Sequence, residues 1–119
     1  MQDILYELNG TRGIVGSLLV SDDGMVIALD FKGEVDGDLI AALAASLVKS
    51  MRNSLGKIGQ EPLTQASIEG SNGNIFLFNT GFGILVVMAE SDVNIGLIRL
   101  EMRNAAGKIA DKIKGETGR

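Results

Sequence analysis

The sequence predicts an α+β fold: a largely antiparallel five-stranded sheet with helices on both faces, in the order α-β-β-α-β-β-β-α. Three observations predict it. Five short segments are rich in β-branched and aliphatic residues and are separated by tight glycine turns. Two long segments and one short one instead repeat apolar residues at three- and four-residue steps. No crossover-length segment separates the strands within either group, so hairpins join them and the pairing is antiparallel. The 119 residues, 45% of them apolar, suit a single domain over 1–119 that buries its core without disulfides.

Residues 2–9 place Ile4, Leu5 and Leu8 on one helical face, and Asn9-Gly10 ends the turn. Gly13 to Ser21 reads as a strand and Met25 to Phe31 as its return. Between them Asp22-Asp23-Gly24 supplies the positive φ that a hairpin needs. After a polar loop, Asp36 or Asp38 can cap a helix from about Asp38 to Gly56. Pro62 breaks the chain, and Leu63 to Glu69 is polar enough for an edge strand. The turn Gly70-Ser71-Asn72-Gly73 leads to a strand over 74–80. The segment 82–90 is apolar on both faces, hence central in the sheet. Ser91 or Asp92 is expected to cap a last helix to about Lys114, with Ile95, Ile98, Met102, Ala105, Ile109 and Ile113 inward and a frayed tail beyond.

Composition argues against catalysis. There is no His and no Cys, so the commonest general base and the commonest metal ligand are missing. The glycine pairs around Phe82 open a strand rather than a helix, and no phosphate-binding loop motif occurs. The carboxylates Asp30, Glu34, Asp36 and Asp38 lack the spacing of a calcium loop. Turn formation and capping explain them, and no cofactor, metal or catalytic residue is expected. A net charge of −4, one Tyr and no Trp make nucleic acid a poor partner, and Lys108, Lys112, Lys114 and Arg119 read as a solvated helix end. No apolar run approaches a membrane span, and the start of the chain lacks a basic n-region, so a soluble, cytoplasmic protein without membrane insertion is expected.

The second helix carries the more informative signal. Ile40, Leu43, Leu47, Met51 and Leu55 form the stripe expected to pack on the sheet. A neighbouring face of Ala41, Ala44, Ala45 and Val48, followed by Lys49 and Arg52, is apolar but small, as if to admit a second helix. Beside it, Thr64, Gln65, Ala66, Ser67 and Ile68 form a strand edge without a blocking charge. An apolar helix face and an open edge together predict a twofold homodimer with a continuous sheet.

Gly13 to Ala28 (GIVGSLLVSDDGMVIA), Ile84 to Met88 (ILVVM) and Asn94 to Ala106 (NIGLIRLEMRNAA) resemble the roadblock family of dynein light chains and their bacterial and archaeal relatives. Element order and length agree across essentially the whole chain, although the first helix is shorter than in many relatives. The resemblance implies a profilin-like sandwich that dimerises through the third strand and second helix into a ten-stranded sheet. It further implies a small Ras-like GTPase partner, docked on the paired second helices and stimulated by ordering of its own catalytic residues. Arg52 would then be a docking contact rather than an arginine finger. A purely structural light-chain adaptor, without nucleotide-state preference, is the competing expectation. A small-molecule sensor would need an internal cavity, of which the dense Ile, Leu, Val and Met pattern gives no sign.

Overall fold

The computed structural model describes residues 1–117. Its elements are α1 (Gln2–Leu8), β1 (Ile14–Val20), β2 (Val26–Phe31), α2 (Gly37–Lys57), β3 (Gln65–Gly70), β4 (Gly73–Asn79), β5 (Ile84–Ala89) and α3 (Ile95–Thr117). The five strands form one sheet in the order β2-β1-β5-β4-β3, antiparallel throughout. The apolar segment over 82–90 is the middle strand and the polar one at Gln65–Gly70 is an edge, as the sequence predicts. The three local hairpins β1–β2, β3–β4 and β4–β5 all form, with Leu18 opposite Leu29, Ala66 opposite Leu77 and Phe76 opposite Val87.

Alternation along each strand sends side chains to two apolar layers. Leu19, Phe76, Leu85 and Val87 meet Ile4, Leu5 and Leu8 of α1 and Ile98, Met102, Ala105 and Ile109 of α3. Leu18, Val20, Leu77, Ile84 and Val86 face α2 instead. The inward stripe expected on the last helix is therefore borne out. A buried polar relay fixes α1 to the sheet: Ser17 Oγ donates to Asn9 Oδ1 at 2.8 Å, and Asn9 Nδ2 donates to the Asp30 carboxylate at 2.8 Å and its carbonyl at 2.7 Å.

Of the two caps expected for α2, Asp36 serves, accepting from Leu39 N–H at 3.1 Å. Other local expectations are corrected. The last helix starts later than expected, because Asn94 Oδ1 rather than Ser91 or Asp92 accepts from Leu97 N–H at 3.0 Å. It also continues to Thr117 instead of fraying after Lys114; Gly118 and Arg119 of the expected basic tail lie outside the described residues. Gly83 shows why the β4–β5 connection needs glycine: at φ +148°, a side chain there would sit 2.7 Å from the Val20 carbonyl oxygen.

The largest correction concerns α2. Ala41, Ala44 and Val48, expected to face a partner, are buried against the chain's own sheet at 0, 4 and 3% exposure. Leu43 and Leu47, expected to pack inward, remain 56 and 39% exposed. The branched side chains of Leu18, Val20, Ile84 and Val86 already fill the layer, so small residues on α2 let its backbone approach closely, and the leucines rotate to its flank.

Candidate protein-interaction surface

A helix with side chains is about 10 Å wide, whereas five strands spaced about 4.8 Å apart span roughly 20 Å. One face of the sheet has two helices, with α1 on β1 and β2 and α3 on β4. The other face has α2 alone, packed on β1 and β2. Its β4–β3 half is covered only in part, and the partly open half meets the exposed flank of α2.

Along this seam runs an apolar trough of about 160 Å³. Ile40, Leu43 and Leu47 form one wall, and Ile75, Leu77 and Met88 form the floor. Leu39, 54% exposed, extends the wall by one turn toward the start of the helix. Toward its end the wall narrows to Ser50 and Ser54, which border Leu63, Gln65 and Ala66. Ile68, 40% exposed, stands at the outer rim.

The β3 edge bounds the seam. Asn79 N–H donates to the Thr64 carbonyl at 2.9 Å. Because bonding alternates along an antiparallel pair, Ala66 and Ile68 then also bond to β4. Gln65, Ser67 and Glu69 direct their N–H and C=O groups outward, where no strand among the described residues receives them. On the opposite face of β3, the Arg99 guanidinium reaches from α3 to donate to Ser67 Oγ at 3.0 Å.

The structure thus divides the residues the sequence selected. Thr64, Gln65, Ala66, Ser67 and Ile68 do lie along the free edge. Ala45, Lys49 and Arg52 lie on the other flank of α2, facing the β1–β2 hairpin with Ser21, Asp22 and Asp23. There Arg52 Nη1 pairs with Asp22 Oδ1 at 3.5 Å, and the Ser21 hydroxyl bonds the Asp23 carboxylate. These residues do not share a surface with β3, since successive residues turn by about 100° around a helix. Of Leu39, Leu43 and Leu47, the residues that do, Leu43 and Leu47 were assigned to the core and Leu39 was not singled out. Their four-residue spacing was legible; which of two adjacent apolar stripes lies inward was not.

Electrostatics bind the helices elsewhere. Lys108 Nζ donates to Glu7 Oε1 at 2.8 Å and Lys112 Nζ lies 3.6 Å from Asp3 Oδ1, joining α3 to α1. The hydrogen bond from the N-terminal ammonium, and secondarily the Lys112 charge, hold the Asp3 carboxyl below its usual range. Among the described residues no three His, Cys, Asp or Glu side chains converge on a metal-sized site, and no helix is long and apolar enough to cross a membrane.

Comparison with known proteins agrees with this architecture. The Roadblock/LC7 domain profile matches residues 1–89. The uncharacterized protein MJ0310 of Methanocaldococcus jannaschii is 43% identical over 106 residues, covering 89% of this chain and 93% of that protein. The solved Roadblock/LC7 domain from Streptomyces avermitilis superposes with a TM-score of 0.89 at 20% identity, covering 95% of this chain and 97% of that one. Myxococcus xanthus MglB superposes with a TM-score of 0.90 at 21% identity, covering 96 and 94%. At these identities the two solved structures speak to the fold.

Proposed function

This chain belongs to the Roadblock/LC7 domain family, and from that premise we propose that it is a homodimeric regulatory subunit for a small Ras-like GTPase. Membership supports a regulatory or adaptor role, carried by binding surfaces rather than by a catalytic centre. The observation that carries the dimer is the seam itself: an apolar trough beside α2 and three residues of unpaired backbone on β3 lie side by side. Apolar side chains and open edges in one contiguous patch favour burial against a second copy. Two copies related by a twofold axis would join β3 to β3 and extend the sheet to ten strands, with the α2 flanks of Leu39, Leu43 and Leu47 closing over the junction. The interface residues are therefore revised from Ala41, Ala44, Ala45 and Val48 to these leucines, while Thr64 to Ile68 are kept.

Pairing in this way leaves the polar ridge of α2 outward on both copies. Lys49 and Arg52 lie on it, at the edge of the cleft shared with Asp22 and Asp23. The family resemblance favours this paired ridge as the docking site for the GTPase, with Arg52 as a contact and the GTPase supplying its own catalytic groups. A regulator must bind the two nucleotide states unequally, because only differential affinity shifts an equilibrium.

Light scattering tests the reading, first on this chain alone and then with the GTPase loaded with GDP or a GTP analogue. A dimer that prefers one nucleotide state is expected. A dimer that binds both states equally would replace the regulator by an adaptor, and a monomer would overturn the interface.

A further inference from the structure

We propose that the two β3 strands of the dimer pair antiparallel with Ser67 opposite Ser67 of the partner subunit, and that Arg99 of each copy then ion-pairs with Glu69 of the partner subunit. This register rests on the homodimer proposed above and adds what that reading leaves open.

Backbone groups select it first. Gln65, Ser67 and Glu69 are the outward-directed residues of β3. A strand slip of one residue would set outward groups against inward ones, so only two-residue steps in the partner preserve the bonding. With the axis at Ser67, Gln65 lies opposite Glu69 of the partner subunit, and all three residues on each strand exchange hydrogen bonds. Moving the axis to Ala66 sets Glu69 against Leu63, whose carbonyl already accepts from Asn79 Nδ2 at 3.1 Å and which follows Pro62, a residue with no N–H. Moving it to Ile68 sets Gln65 against Ser71, beyond the end of β3 in the turn.

Side-chain volume selects it again. On the α2 side, the Ser67 axis sets Ile68 against Ala66 of the partner subunit, a large residue over a small one, twice. The Ile68 axis would oppose two isoleucines, and the Ala66 axis two alanines with a void between them.

Charge is compatible with the same register on the α3 side, although the Ile68 axis would also bring Arg99 to Glu69 of the partner subunit, so backbone bonding and side-chain volume make the choice. Arg99 is exposed and is held over Ser67 by its 3.0 Å hydrogen bond. Across the axis, Ser67 and Glu69 of the partner subunit are diagonal neighbours on the same face, within the roughly 7–8 Å over which a long side chain reaches a cross-strand residue. The twofold operation produces two such Arg–Glu pairs, and the carboxylates of Glu69 offset the approach of the two guanidiniums to the axis.

Single-cysteine chains test the register, because the native sequence has no cysteine. Directly opposed Cα atoms in a hydrogen-bonded antiparallel pair lie about 5.5 Å apart, within disulfide range. Under mild copper-phenanthroline oxidation Ser67→Cys should form a covalent dimer, while Ala66→Cys and Ile68→Cys stay uncrosslinked, with light scattering run on the same reduced samples. A dimer crosslinked at 66 or 68 in place of 67 overturns the register while keeping the dimer. A dimer crosslinked at none of the three overturns β3 pairing. A monomeric mass for the unmodified chain overturns the homodimer and the register with it. The charge pairing is read separately: Arg99→Glu should raise the dimer dissociation constant about tenfold, as two exposed ion pairs become repulsive. Adding Glu69→Arg in the same chain should restore it. Arg99 acting only through its bond to Ser67 would show no such rescue, and that result would overturn the Arg99–Glu69 pair.

Discussion

Replacing Leu43 by alanine should weaken the dimer about a hundredfold and leave the protomer folded. The magnitude follows from exposure. Leu→Ala removes three carbons, worth about 2.4 kcal/mol at about 0.8 kcal/mol per buried methylene. In the protomer 56% of Leu43 is still exposed. That fraction is what dimerisation has left to bury, so about 1.3 kcal/mol of the loss belongs to association in each copy. The twofold axis doubles it to about 2.7 kcal/mol, or about two decades in dissociation constant at about 1.4 kcal/mol per decade. The remaining loss, about 1 kcal/mol, falls on the fold of each protomer and should lower its thermal midpoint by several degrees. Sedimentation equilibrium or light scattering across a dilution series reads the first effect, and thermal denaturation reads the second. Leu100→Ala is the control, because Leu100 is 51% exposed on α3, in the layer on the other side of the sheet. It should leave the dimer unchanged. A shift below about threefold for Leu43→Ala, or an equal shift for the two variants, would refute the placement of the interface on the α2 flank.

Other perturbations address the fold and the docking ridge. Ala41→Leu inserts three carbons where α2 is fully buried on the sheet, and should destabilise the protomer by about 1–3 kcal/mol in urea denaturation; an unchanged midpoint would put Ala41 back on the outer face. Asn9→Ala removes the acceptor of the Ser17 hydroxyl and both donations to Asp30, and should cost about 1–3 kcal/mol, with hydrogen exchange increasing first in α1 if that helix is the element released. Arg52→Ala gives up one exposed pair with Asp22 and should change stability by less than about 1 kcal/mol. Its effect should appear instead as weaker GTPase binding with hydrolysis at saturation retained, and a loss of saturating turnover would show Arg52 acting as a catalytic finger.

How much of this was legible in the sequence depends on the range of the interaction involved. Turn glycines and strand patterning are local, and they identified the Asp22-Asp23-Gly24 hairpin, the edge character of Gln65–Gly70 and the central place of Ile84–Ala89. The inward stripe of α3 was legible because most of its outer side, with Arg103, Asn104 and Asp111, is polar, Leu97 and Leu100 aside. On α2 two apolar stripes run side by side, and periodicity ranks them only by size. It therefore assigned the leucines to the core and the alanines to the partner.

The sequence by itself determined the element order, the antiparallel hairpins and the absence of His and Cys from any site. Tertiary structure alone decided which face of α2 lies inward, because that depends on how far Leu18, Val20, Ile84 and Val86 fill the space beneath it. It decided that Arg52 meets Asp22 across the hairpin cleft rather than standing beside β3. It also decided that the trough exists at all: one helix is narrower than five strands, and α2 packs over β1 and β2, leaving Ile75 and Met88 only half-buried beside an edge that no strand among the described residues bonds. These are sums over residues distant in the chain, and no local pattern contains them.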